Sequence, residues 1–367
     1  MRKILFCAST VSHINNFHLP YLRAFKEMGY EVHVVANEAV PIKWADKVHA
    51  ISFNKQFLSH KNILAVIQSI KLLKEYRYEK LSANTTLASV IMRIAALFIK
   101  ERPYIFNIVH GYLFNMNSGL RKYVYLIPEK LAAKVSDTVM VMNTEDLEIA
   151  EYYRLYKSKL VHIDGMGVDS SRYKPIRQEE KEVEKKKLGF TPYKFVFIYA
   201  AEFSARKNQI LLINAFARSG LEKAHLLLAG NGKTFDECRE RVKQLNLTER
   251  VHFLGYVNDV PALYSACDVA VSSSLIEGLP FNIIEALGCS LPVVASDIKG
   301  HRDLIEHQVN GLLYQSQDEE ALVASLKEIY GLSTEQRKNY GQAGSRKAVR
   351  FTLNCVFDQI MDIYMDI

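Results

Sequence analysis

The feature that most constrains this chain is an alternation of short apolar runs with helix-patterned segments that plays through once and then starts again. It opens as β-α-β: Lys3–Ala8 reads as a strand, His18–Met28 as a helix, and Glu31–Ala36 as a second strand entered through Gly29. Further strands are expected at Ile105–Val109 and Thr138–Met142, and helices at Ile63–Tyr76, Leu87–Ile99, Tyr123–Val135 and Thr144–Tyr153. A charged stretch with two prolines, residues 174–194, interrupts the series, and the apolar run Phe195–Ala200 restarts it. After it come helix Gln209–Arg218, strand His225–Ala229, helix Thr234–Leu245, strand Val251–Leu254 and helix Val260–Ala266. Strand Val269–Ser272, helix Asn282–Gly288, strand Pro292–Ala295 and helix Glu319–Tyr330 complete it. Strands alternating with helices make a parallel sheet covered on both faces. The pattern predicts two doubly wound α/β domains joined near 172–176, with ligands at the carboxyl ends of their strands and a cleft between them.

The 367 residues suit two domains of ordinary size. The composition, 49% hydrophobic and 24% charged, is that of a folded globular protein. The scattered Cys7, Cys238, Cys267, Cys289 and Cys355 form no C-x-x-C pair, which argues against a disulfide framework or a zinc site built on cysteine. Ile4–Ala8 is too short for the apolar core of a secretory signal and is expected to be a buried strand. No apolar run reaches the ~18 residues that span a bilayer, so the expected location is cytoplasmic.

The formal charge of +7 is uneven: residues 1–172 carry 23 Lys/Arg against 15 Asp/Glu, and 173–367 carry 24 against 25. A basic first half favours phosphate-bearing ligands or an anionic membrane face, and no nucleic-acid recognition motif accompanies it. Gly119–Val135 mixes Arg121, Lys122, Tyr123 and Tyr125 with apolar residues and fits either a membrane-surface helix or a core-packed helix with polar edges. The charge run 179–187 reads as a solvated helix.

Val269–Ser296 is the richest segment. Its strand ends in serines, a turn with Gly278 and Pro280 follows, and a helix then opens. Pro280 near the first helical turn removes an amide that would lack a partner, and the remaining amides at a helix N-terminus suit an anion such as a diphosphate. Glu285, inside the helix, would accept both hydrogens of a ribose diol from a cleft-facing position, and Glu277, on the loop, would reach a sugar beyond the phosphates. Taken singly, both are also ordinary exposed glutamates.

E-G-L-P-x-x-x-x-E after such a strand resembles the E-x7-E signature of retaining glycosyltransferases of family 4, which have the GT-B fold of two Rossmann-like domains. Other segments are similar in order and spacing: DGMGVD at Asp164–Asp169, LLAGNG at Leu227–Gly232, VHFLGY at Val251–Tyr256 and NGLL at Asn310–Leu313. SHINNFHLPYL and VHGYLF resemble the bacterial exopolysaccharide and capsule enzymes of that family. The resemblance implies an acceptor-binding domain over 1–172, a nucleotide-sugar-binding domain over 173–350, and a final helix, 351–367, packed back on the first domain.

It also implies roles. Lys207 would neutralise the donor diphosphate. The family's usual arginine five residues earlier is here Glu202, and Arg206 is the candidate replacement. Gly278, Leu279, Pro280, Phe281, Asn282 and Glu285 would hold the donor, with Tyr256 and Val257 beside the base. His110 and Glu277 would act at the donor sugar. The first loop, Ser9–Asn16, lacks the family's glycine pair, which limits backbone approach to a ligand, while His13 and Asn16 would line the acceptor side. In Lys299–Asp303, Arg302 or Asp303 would face the ligand. The expected donor is a UDP-sugar carrying a hexose or N-acetylhexosamine, and the acceptor is a glycan or a polyprenyl-diphosphate-linked sugar. No D-x-D motif stands in a convincing context, so no metal is expected. An epimerase or phosphorylase of the same fold, and a non-catalytic nucleotide-sugar-binding subunit, remain open alternatives. A dinucleotide oxidoreductase fits poorly, because neither first turn carries G-x-G-x-x-G.

Overall fold

The computed structural model describes residues 1–54, 59–116, 118–191 and 194–366. The chain divides into two compact units, Met1–Gly167 with Val356–Ile367, and Val168–Cys355.

Unit 1 is built on seven parallel strands: β1 (Lys3–Cys7), β2 (Glu31–Ala36), β3 (Lys47–Ala50), β4 (Lys80–Asn84), β5 (Tyr104–Val109), β6 (Thr138–Val141) and β7 (Lys159–His162). Their order is β3-β2-β1-β4-β5-β6-β7. The connecting helices are α1 (Val11–Phe17), α2 (Leu19–Glu27), α3 (Lys61–Tyr76), α4 (Thr86–Ala96), α5 (Tyr123–Ala133) and α6 (Thr144–Tyr153). β3, β4 and β7 were not anticipated from the sequence. β4 is central, yet it reads KLSAN, and polar residues at a fully buried strand are a misleading signal. Two of its polar side chains are satisfied from far along the chain. Lys80 Nζ donates to the Tyr364 carbonyl at 2.6 Å, and Ser82 Oγ lies 2.7 Å from the Tyr364 hydroxyl. Burial of these groups is tolerable only because they are paired.

The segment Ser9–Asn16, expected as a loop, is mostly helix. Thr10 caps α1, accepting from the His13 amide, and so satisfies a donor that would otherwise lack a partner.

Unit 2 has six parallel strands: β8 (Phe195–Ala200), β9 (Ala224–Ala229), β10 (Val251–Gly255), β11 (Val269–Ser272), β12 (Val293–Ser296) and β13 (Gly311–Tyr314), in the order β10-β9-β8-β11-β12-β13. Its helices are α7 (Gln178–Lys187), α8 (Gln209–Ser219), α9 (Phe235–Gln244), α10 (Val260–Ala266), α11 (Phe281–Gly288), α12 (His301–Leu304), α13 (Glu319–Gly331) and α14 (Thr334–Ala348). α15 (Leu353–Met365) ends the chain and delivers Tyr364 to the core of unit 1, among Phe6, Phe25 and Phe106.

The charge run on α7 is a helix but more than a solvated one. Lys185 is buried, with Nζ 2.7 Å from Asp268 Oδ2, and Lys181 reaches Oδ1 at 2.9 Å. The two lysines tether α7 to the residue that precedes β11.

The glycines of LLAGNG have a steric cause. A Cβ on Gly230 would stand 2.1 Å from the Ala201 carbonyl oxygen, and one on Gly232 would stand 2.1 Å from that of Phe203. The loops after β8 and β9 run in backbone contact, which only glycine permits.

Candidate functional site

In unit 2 the polar residues gather at the carboxyl ends of β8, β11 and β12. The buried serines that follow β11 have a definite task, holding the backbone of the lysine loop. Ser273 Oγ donates to the carbonyls of Lys207 and Asn208 at 3.0 and 2.9 Å, and the Leu275 amide donates to the Arg206 carbonyl at 2.8 Å. The Tyr199 hydroxyl adds a bond to the Lys207 carbonyl at 3.1 Å and lies 2.8 Å from Ser274 Oγ. Asn208, in the left-handed region with φ 50°, turns the chain into α8.

So anchored, Arg206 and Lys207 point the same way. Lys207 Nζ meets Glu277 Oε1 at 2.5 Å, and Arg206 Nη1 meets Oε2 at 2.9 Å and the Ile276 carbonyl at 3.0 Å. Glu277 is only 7% exposed. Burial alone would raise its pKa, but Lys207 and then Arg206 outweigh that and hold the carboxyl down to about 2. Glu202 is exposed, and its carbonyl accepts from Gln209.

The turn carrying Glu277 and Gly278 is backed by the loop after β12. Gly300, at φ 76°, comes so close that a Cβ there would stand 2.3 Å from the Gly278 carbonyl oxygen. In the Lys299–Asp303 segment Lys299 and His301 are buried, Asp303 is partly buried and Arg302 is exposed. Arg302 binds Asp297 at 2.5 Å on the surface. His301 is fully buried. Its Nδ1 lies 2.7 Å from the Ser296 carbonyl and its Nε2 3.4 Å from Ser272 Oγ, and burial lowers its pKa to about 4. It is a neutral imidazole beside the Glu277 cluster.

α11 starts after Pro280, which sits at its N-cap with φ −77°. Leu279 is buried and Phe281 partly buried. The Asn282 side chain is bound to the protein itself, with Nδ2 donating to the Ala200 carbonyl at 3.1 Å, and the Asn282 backbone carbonyl accepts from the Tyr264 hydroxyl at 2.9 Å. These two bonds fix the start of α11 against the end of β8. Glu285, one helical face further, is partly buried. Burial raises its pKa to about 7, opposed by a hydrogen bond from Tyr173 and by nearby Arg172. Tyr256, exposed, and Val257 follow β10 at the edge of the sheet, apart from the Glu277 cluster.

Unit 1 has its own cluster, at the carboxyl ends of β1 and β5. His13 on α1, His18 between α1 and α2, and His110 after β5 bring ring nitrogens within 4.8 Å of one another. His13 Nε2 and His110 Nε2 are 3.3 Å apart. Burial lowers the pKa of all three, to about 4 for His13 and well below the ordinary imidazole value for His18 and His110, so they are neutral at pH 7. Asn16 is exposed on α1. Thr85, which follows β4 between these elements, has φ 59°, a strained value for a β-branched residue. It is held there by Ser9, whose amide donates to Thr85 Oγ1 at 2.9 Å.

Sequence reasoning brought forward His13, His110, Lys207, Arg206, Glu277 and Glu285. It missed His18, Thr85, Tyr173, Tyr199 and His301. His18 stands inside SHINNFHLPYL and His301 inside KGHRD, so the residue type was visible, but nothing local distinguished the inward side chain.

Comparison with known proteins relates this chain to glycosyltransferases. The family described as Glycosyl transferases group 1 matches residues 180–347, and Glycosyl transferase 4-like matches residues 3–143. A Bacillus subtilis protein named "Putative glycosyltransferase EpsD" is 30% identical over 367 residues, covering 99% of this chain and 96% of its own length. An Escherichia coli UDP-Gal:alpha-D-GlcNAc-diphosphoundecaprenol alpha-1,3-galactosyltransferase is 26% identical over 83% of this chain and 80% of its own. Among solved structures, Anabaena Alr3699/HepE in complex with UDP superposes with a TM-score of 0.80 at 22% identity, covering 100% of both chains.

Proposed function

The chain belongs to the glycosyl transferases of group 1 and has the GT-B fold, and on that premise we propose that it is a retaining transferase of surface polysaccharide synthesis. It moves a hexose or N-acetylhexosamine from a UDP-sugar to a glycan or a polyprenyl-diphosphate-linked acceptor. The observation that carries this is the convergence of Lys207 and Arg206 on Glu277, close to the start of a helix that bears Glu285. Two cations against one carboxylate leave a positive site for a diphosphate, and their charge stabilises the UDP leaving group as the glycosidic bond breaks. Because Lys207 and Arg206 supply that charge, the transfer needs no divalent ion.

In this reading unit 2 holds the donor. Glu285 accepts the ribose hydroxyls, Glu277 contacts the sugar, and Gly278–Asn282 follow the phosphates. Unit 1 takes the acceptor beside His13, and His110 is a polar contact for the donor sugar rather than a base. Relatives act on lipid-linked substrates: the E. coli protein is named for a diphosphoundecaprenol acceptor. No helix among the described residues is long and apolar enough to cross a membrane. α5 nevertheless turns Tyr123, Val124, Ile127 and Leu131 to solvent, with Leu120 just ahead of it. That face would let the chain work at the cytoplasmic surface of a membrane.

The test is a donor panel, with nucleotide release measured for several UDP- and other nucleotide-sugars, with and without polyprenyl-diphosphate-linked acceptors. Acceptor-dependent release from a UDP-sugar, with the anomeric configuration kept in the product by NMR, is the expected result. Sugar epimerised without acceptor, phosphate-dependent cleavage, or binding without any turnover would overturn it.

A further inference from the structure

Unit 2 has a cavity that the proposed transfer does not use. Side chains alternate along β9 and β10. Ala224, Leu226, Leu228 and Val251 belong to the hydrophobic core. The residues between them, His225, Leu227, His252 and Leu254, line a cavity of about 300 Å³, which Phe190 and Lys194, from the segment after α7, help to enclose. Three of these side chains form an aromatic wall. His225 and His252 stack with ring centroids 5.3 Å apart and 23° between their planes, and Phe190 lies 5.0 Å from the first and 5.4 Å from the second.

One polar atom of this wall is unanswered. His225 Nε2 is buried without a hydrogen-bond partner among the described residues, while its Nδ1 lies 3.0 Å from His252 Nε2. Burial, then the neighbouring His252 and Lys194, hold the His225 pKa down to about 4, so the ring is neutral at pH 7. A neutral imidazole carries one N–H and one lone pair. With His252 donating to Nδ1, the N–H of His225 falls on Nε2, the orphaned atom. A buried donor left unanswered is costly, and an acceptor in the cavity would relieve it.

We propose that this cavity binds a small planar aromatic carboxylate, its ring against Phe190, His225 and Leu254 and its carboxylate between His225 Nε2 and the Lys194 ammonium. Aromatic faces and aliphatic side chains take a flat ring, and an unused donor beside a cation takes an anion. Lys194 is the one lysine or arginine among the described residues that line the cavity, which suits a single negative charge. The volume stands at the small end of the range for ligand sites and favours one or two rings over a nucleotide. His225 and His252 are each the second residue of their strand, so the cavity lies toward the amino ends of β9 and β10. The Glu277 cluster lies at the carboxyl ends of β8, β11 and β12, and the proposal stands or falls separately from the transfer assigned to it.

The experiment titrates the full-length protein with naphthoate by calorimetry, without any sugar nucleotide, and compares naphthamide, the same ring system without the charge. The expected result is one saturable naphthoate site per chain, with naphthamide weaker by about tenfold or more, as loss of charge-assisted hydrogen bonds requires. Lys194→Met, and His225→Phe, which keeps a ring in the wall, should each weaken naphthoate by about tenfold or more. Circular dichroism accompanies each variant, and if His225→Phe does not fold, Lys194→Met carries the test. Lack of saturable binding, equal binding of naphthamide, or an affinity unchanged in the folded variants would overturn the proposal.

Discussion

Lys207 and Glu277, 70 positions apart in the sequence, meet in a 2.5 Å ion pair, and Arg206 binds the other oxygen of the same carboxylate. The pair gives Glu277 two tasks. It is the carboxylate proposed to contact the donor sugar, and it also orients the two cations proposed to meet the diphosphate. A loop glutamate read alone suggests only the first task. The second depends on the serines after β11, which fix the backbone of residues 206–208 so that both side chains turn toward Glu277.

The Glu277 carboxyl is held at about 2, below its ordinary value of 4.5. Its folded pKa is depressed, so its contribution to stability is present above about 4.5 and is lost as pH falls toward 2. Glu277→Gln removes that contribution and leaves Lys207 unpaired and nearly buried. The expected loss at pH 7 is about 3 kcal/mol, or roughly 6–12 °C in Tm for a domain of this size. Thermal denaturation at pH 7 and at pH 3 checks it, since the difference between variant and wild type should shrink at the lower pH. Equal melting at pH 7 would remove the ion pair from any structural role.

Glu285 shows the opposite sign. Burial lifts its pKa to about 7, so folding favours the protonated form. That stabilisation is complete below about 4.5 and is lost as pH rises through 7. Glu285→Gln, neutral at every pH, is therefore expected to melt no lower than wild type at pH 8. Donor binding should move the other way. Charged hydrogen bonds to the ribose are worth about 1.5–3 kcal/mol, so the variant's donor Kd should rise roughly 10- to 100-fold. Wild-type affinity should improve from pH 6 to pH 8 as Glu285 ionises, and the variant's should stay flat. Calorimetric titration with UDP across that range decides it, and a parallel pH dependence in both proteins would exclude Glu285 as the titrating anchor.

The strands with clean apolar runs, such as Phe195–Ala200 and Glu31–Ala36, were legible in the sequence because burial on both faces writes itself as composition. β4 was not. Lys80, Ser82 and Asn84 belong to a central strand only because Tyr364, at the far end of the chain, satisfies two of them. The candidate site divides in the same way. Glu277, Glu285 and Lys207 could be read from local pattern and resemblance. The direction of Arg206, the inward turn of His301 and the meeting of His13 with His110 are long-range facts, set by strand order and by hydrogen bonds to backbone that no short window contains.

Gly300 is where two loops of the candidate site touch. At φ 76° any L-residue is strained, and a Cβ would press on the Gly278 carbonyl oxygen at 2.3 Å. Gly300→Ala is expected to cost at least about 1–3 kcal/mol and to shift the turn carrying Glu277. Chemical denaturation reports the first effect and UDP affinity the second. A variant with unchanged stability would show that the loop moves aside freely.

The face of α5 offers the last test. Its inner side is fixed by Leu126 and by Glu129, which pairs with the buried Arg93 at 2.8 Å. That registration leaves Tyr123, Val124, Ile127 and Leu131 outside, continuous with Leu120 at helical spacing. Leu120 is 86% exposed and Ile127 56%, so neither contributes much to the fold. Arg121, Lys130 and Lys134 are exposed on the same segment, a composition that suits an anionic bilayer. Each basic residue near such a surface adds about 1 kcal/mol, and each fully buried aliphatic side chain about 1.5–3 kcal/mol. Leu120→Glu with Ile127→Glu should therefore weaken sedimentation with phosphatidylglycerol-containing vesicles more than tenfold, with an unchanged circular dichroism spectrum. Wild-type binding should weaken with added salt, as screening requires. Equal binding by the double variant, or wild-type binding as tight to purely zwitterionic vesicles, would mean that this apolar face does not rest on a membrane.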